Sequence, residues 1–131
     1  MKESLTTADC QIDLRYLRSV TENDEIFIIK IIEKVIQQIP ECMLQMDEHF
    51  ENNNLDRLKA VAHKMANSMM TVGIKKAEKA LHEIEDNIAH EQDLELLKEL
   101  ISTVKTTCEL AMADLMTEKQ NLEKANEQTT N

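Results

Sequence analysis

From Phe27 onwards the apolar side chains return every three or four residues: Phe27, Ile28, Ile31, Ile32, Val35, Ile39, Met43, Met46 and Phe50. That period belongs to one face of a helix and predicts a single long helix of roughly 25 residues. In the preceding "TENDE", Thr21, Asn23 or Asp24 is available as the N-cap, with acids in the first turn. Pro40 lies inside the stripe. A mid-helix proline removes one backbone hydrogen bond, so a bend is expected there, with a break as the second reading. A shorter helix precedes this one, over about Asp9 to Val20, carried by Leu14, Leu17 and Val20.

The same period continues after "ENNN" at 51–54, which reads as a loop with Asn54 as N-cap. Leu55, Leu58, Ala62, Met65 and Met69 predict a third helix ending near Val72 and Gly73. Gly73, the chain's one glycine, suits the left-handed residue that closes many helices. Ile74, Ala77, Leu81, Ile84 and Ile88 form a fourth stripe, and "AHEQD" a connector that offers Asp93 as a cap. Leu94, Leu97, Ile101, Val104, Cys108, Ala111 and Leu115 form the most regular stripe of all. Beyond Leu115 the chain turns polar, and "KANEQTTN" reads as a frayed or disordered tail. The expected organisation is a flexible segment at 1–8, one helical domain at 9–117 and a tail at 118–131. Short connections favour antiparallel neighbours. The expected fold is all-α: an antiparallel up-down four-helix bundle with a short extra N-terminal helix.

Composition supports this. One glycine and one proline in 131 residues leave little turn punctuation for a β-rich fold. Aromatics are 2%, so the core must be aliphatic and methionine-rich. A net charge of −10 argues against a nucleic-acid partner, which needs clustered Lys and Arg. "MKESLTTADC" lacks the apolar run of a signal peptide, and "IFIIKIIEKVI" is too short and too charged to span a bilayer. Cys10, Cys42 and Cys108 are odd in number and show no metal-ligand spacing, which suggests free thiols and a cytoplasmic location. The four histidines assemble no metal set, and the acids lie on the outer faces of amphipathic helices. No glycine loop or activated nucleophile marks an enzyme with its own pocket.

One short stretch, "AHKMANSMMTVG" from Ala62 to Gly73, invites a chemical reading. On the third helix, His63 falls roughly 120° from the centre of the apolar stripe and so faces water. Lys59, Ala60, Ala66, Asn67 and Met70 occupy the turns around it. Small neighbours leave the imidazole open, and an oily Met70 on an outer face either marks a partner surface or tucks against the first helix. An exposed helix histidine is most often inert, and position alone does not separate the two cases.

The pattern around His63 resembles the histidine-containing phosphotransfer (HPt) domains of bacterial multistep phosphorelays. Ala62 and His63 match the family's motif, with Met65 at its leucine, Ser68 at its serine and Gly73 at its later glycine. "DLRYL", Asp24 with Phe27, Pro40 with Met43 and Met46, and "NLDRLKAVAH" are also similar, so the likeness covers about residues 10 to 116. It departs at Ala66 and Asn67, where the family has a lysine and a glycine. The resemblance implies that His63 accepts a phosphoryl group from a receiver-domain aspartate and passes it to another receiver. It implies a carrier, not an enzyme, with no cofactor of its own and with Mg²⁺ in the partner receiver. Lys59, Ala60, Lys64, Ala66, Asn67 and Met70 would form the supporting or docking surface, Gly73 the helix turn. Receiver domains or a hybrid histidine kinase are the implied partners, without nucleic acid or membrane, and the chain is expected to be a monomer. The alternative is an HPt-like adaptor that binds such partners without transferring, motivated by Ala66 and Asn67. A third reading is an unrelated bundle that dimerises through its fifth helix.

Overall fold

The computed structural model describes residues 11–130, with side chains to residue 127. The segment expected to be flexible at 1–8, together with Asp9 and Cys10, lies outside the described residues. The elements are α1 (Arg15–Val20), α2 (Glu25–Glu51), α3 (Leu55–Thr71), α4 (Lys75–Asp86) and α5 (Leu94–Thr130). The all-α bundle expected from the stripes is the observed fold.

The first helix is shorter than its apolar spacing suggests. It starts late, at Arg15, just after Asp13, whose carboxylate receives the Arg15 amide at 3.1 Å and the Arg15 guanidinium at 2.6 to 3.1 Å. The Asp13 amide meanwhile donates to Val72 O at 3.0 Å, strapping the incoming chain across the end of α3. Thr21 is not the N-cap of α2; it closes α1, and its hydroxyl donates back to Leu17 O at 2.7 Å. Asp24 is the cap of α2, receiving the Phe27 amide at 3.2 Å.

Helix α2 runs unbroken through Pro40, which sits on its exposed side. Ile28, Ile32, Val35, Ile39, Cys42 and Met46 form its buried stripe, whereas Phe27, counted in the stripe by spacing, points outward. Asn54 precedes α3 without a side-chain cap bond. Gly73 does adopt the left-handed conformation, at φ +70. The connector expected at 89–93 shrinks to Gln92 and Asp93, because α4 continues into a π-helical turn over Asn87–Glu91. Gln92, at φ 49, ends that turn. Asp93 then caps α5, receiving the Leu96 amide at 3.2 Å.

The tail expected at 118–131 is a correction. Helix α5 continues through it to Thr130, and Leu122 is buried in the same core as Leu115. Leu122 stands seven residues after Leu115, one more step of the same stripe. Lys119 pairs with both Glu33 on α2 and Glu123. Polar composition there means strong helix formers, not disorder.

Each of the four long helices packs on its two neighbours, α2 on α3, α3 on α4, α4 on α5 and α5 back on α2. The pairs Lys105–Asp47 and Lys119–Glu33 show α5 descending as α2 rises. At their centre lie Ile28, Ile32, Met46, Leu58, Met65, Met69, Leu81, Ile84, Leu97 and Leu115. Burying each such side chain contributes about 1.5 to 3 kcal/mol. Ser68 adds a polar tie between α2 and α3, donating to Gln38 Oε1 at 2.8 Å.

Candidate functional site

His63 sits in the middle of α3 on the flank facing α4. Its side chain is 69% exposed, yet it is not free to turn. Nδ1 lies 2.7 Å from Oε1 of Glu85, whose own side chain is only 16% exposed. A carboxylate accepts, so in the neutral ring this contact favours the proton on Nδ1 and the lone pair on Nε2. The second oxygen of Glu85 is occupied too: His82 Nδ1 lies 3.1 Å from Oε2. His82 Nε2 in turn stands 3.6 Å from Glu78 Oε2. The carboxylate is thus held between two imidazoles, one on its own helix and one across the interface.

The other residues singled out by sequence divide around the helix. Lys59, one turn before His63, is exposed on the same face and makes no ion pair among the described residues. Ala60 and Asn67 are exposed, and Asn67 O accepts from the Thr71 hydroxyl at 2.9 Å. Met70 is exposed two turns on and lines a cleft of about 320 Å³ with Tyr16, Gly73, Lys75 and Glu78. Lys64 is exposed as well. Burial pushes the Cys42 thiol up, and the nearby Lys64 charge offsets part of that push. Ala66 is a correction. It is 2% exposed and belongs to the core with Ala62, Met65 and Met69. It forms no part of a surface.

Gly73 closes the site from below. A Cβ on it would stand 2.1 Å from Asp13 O, so the residue must be glycine both for its φ and for the strap that crosses it. Among the described residues no group of three or more His, Cys, Asp or Glu converges to hold a metal. No helix among them is long and apolar enough to cross a membrane. Cys42 and Cys108 are buried free thiols, and burial raises Cys108 to about 12.

Glu85 and His82 were not among the residues the sequence singled out. A signal for Glu85 was present: it stands eleven residues after Ile74, as His63 stands eleven before it. A helical hairpin turning at Gly73 and Ile74 brings such equidistant positions level. His82 follows from Glu85 by the three-residue spacing of one helix face.

A family model described as Hpt domain matches residues 30–125. No curated protein matches the chain. Among solved structures, the chain is similar to histidine-containing phosphotransfer protein B from Pseudomonas aeruginosa PAO1, with a TM-score of 0.77 and 16% identity. That match covers 85% of this chain and 96% of the other. It is also similar to a putative histidine-containing phosphotransfer protein from rice, with a TM-score of 0.70 and 13% identity, covering 98% and 90%. At such identities the likeness in structure speaks for the fold, while the family match spans most of the sequence. The chain belongs to the Hpt domain family, the histidine-containing phosphotransfer domains.

Proposed function

We propose that this domain is a phosphorelay carrier that takes a phosphoryl group on Nε2 of His63 from a receiver-domain aspartate and yields it to another receiver. The observation that carries this reading is the 2.7 Å contact between His63 Nδ1 and Glu85. In the neutral ring it favours the Nδ1–H tautomer, which puts the lone pair a nucleophile needs on Nε2. In the reaction the Nε2 lone pair attacks phosphorus, an N–P bond forms, and the P–O bond of the acyl phosphate breaks. The aspartate carboxylate leaves with the electron pair. The ring keeps its Nδ1 proton and gains positive charge, which the Glu85 carboxylate balances.

The domain brings a held nucleophile and a docking face; Mg²⁺ and the remaining charge stabilisation belong to the receiver in this reading. Lys59 is the cation on the His63 face that offsets the incoming phosphoryl charge, since position 66 is buried. Met70 and Tyr16 supply apolar contact beside it. The proposed partners are receiver domains or a hybrid histidine kinase.

Incubation with a phosphorylated receiver tests the proposal. Label should pass to the wild-type chain and not to His63→Gln. Label retained by that variant sinks His63 as the acceptor. Receiver binding without any label on the wild type identifies a non-transferring adaptor instead.

A further inference from the structure

Met46, Met65 and Met69 are sealed in the core, whereas Met70 is 38% exposed. It follows His63 by seven residues and therefore shares its helix face, two turns on. Beside it in the same cleft stands Tyr16, itself 48% exposed. A partner that covers His63 and reaches along α3 meets these two apolar groups together. That last step rests on the proposed phosphotransfer reading.

We propose that Met70 is a redox-sensitive modification site whose oxidation weakens receiver docking at His63. With hydrogen peroxide as the oxidant, the thioether sulfur attacks one peroxide oxygen. An S–O bond forms, the O–O bond breaks, and water leaves; sulfur is oxidised by two electrons and the peroxide is reduced. The sulfoxide is polar. Pressed beneath a partner without a hydrogen bond, it costs free energy where the thioether contributed it. The fold is spared, because Met70 lies at the rim of the bundle and its neighbour Met69 carries the core contact. A thiol-dependent methionine sulfoxide reductase restores the thioether. Met116 supplies an internal control. It is 49% exposed on α5, which stands diagonally across the bundle from α3 rather than beside it.

The test treats the full chain with dilute hydrogen peroxide and maps oxygen uptake by peptide mass spectrometry. Affinity for a receiver, and transfer from that receiver charged with acetyl phosphate, are measured before and after. Met70 and Met116 should gain oxygen ahead of Met65 and Met69. Affinity and transfer rate should fall about tenfold in wild type and in Met116→Leu, each against its own untreated sample. In Met70→Leu the treated and untreated samples should agree. An undiminished wild type with Met70 fully oxidised overturns the inference, as does a fall that persists in Met70→Leu or a Met70 no more reactive than the core methionines. An untreated chain that binds a receiver without transferring overturns the transfer reading alone, and affinity then decides Met70. An untreated chain that does neither overturns both.

Discussion

Glu85 Oε1 and His63 Nδ1 are 2.7 Å apart although the residues sit on different helices, so the neighbouring helix holds the His63 ring by one of its two nitrogens. Replacing Glu85 by Gln keeps the shape and removes the charge that favours the Nδ1–H tautomer. Transfer to His63 should fall at least about tenfold. Nitrogen NMR of the His63 ring should show the proton shifted towards Nε2. Unchanged tautomer populations in Glu85→Gln would show that Glu85 does not set them.

Buried Ala66 makes a second prediction. Ala66→Lys, which restores the family's residue, must place an ammonium at a core position. It should cost about 1 to 3 kcal/mol of stability in denaturant unfolding and should not accelerate transfer. A faster and equally stable variant would show that position 66 reaches the surface.

Gly73→Ala sets a Cβ against Asp13 O and imposes a left-handed conformation on alanine. A loss of about 1 to 3 kcal/mol is expected. Hydrogen exchange at the Asp13 amide, now donated to Val72 O, should quicken more than exchange in the middle of α5. Equal quickening at both sites would argue against a strap seated on Gly73.

The Ser68–Gln38 hydrogen bond joins α2 to α3 at a partly buried position. Ser68→Ala should lower stability by about 1 kcal/mol, and the double variant with Gln38→Leu should recover part of the loss. Strict additivity in the double-mutant cycle would mean that the two side chains do not interact.

Burial raises the Cys108 thiol to about 12. The folded state therefore holds this proton more tightly than the unfolded chain. The stability linked to it is complete below the unfolded thiol's pKa, about 8.5, and is lost as pH climbs from there towards the folded value. In a Cys10→Ser background, Cys42 and Cys108 should resist a thiol reagent near neutral pH and react on unfolding. The melting temperature should drop with alkali more steeply than in Cys108→Ala. Rapid labelling of Cys108 in the native protein would contradict its burial.

Much of this domain was legible without coordinates. Helical periodicity located the stripes of α2, α3, α4 and the first part of α5, because an apolar face must recur every three or four residues to reach one core. The same arithmetic put His63 outside and Met65 and Met69 inside. It misjudged Phe27, at the end of a stripe, where the neighbouring helix no longer covers it. It also misjudged 118–131, where a single Leu122 anchors a helix that otherwise looks like a polar tail.

What the sequence determined by itself was most of each helix's inward face, Met65 and Met69 among it, since a stripe depends only on spacing along one helix. Tertiary structure alone decided how the helices stand in register. That register places Glu85 against His63, lays Asp13 over Gly73 and sets Tyr16 beside Met70. Each relationship joins two helices or a helix and a strap, and no periodicity within one element records the distance between two.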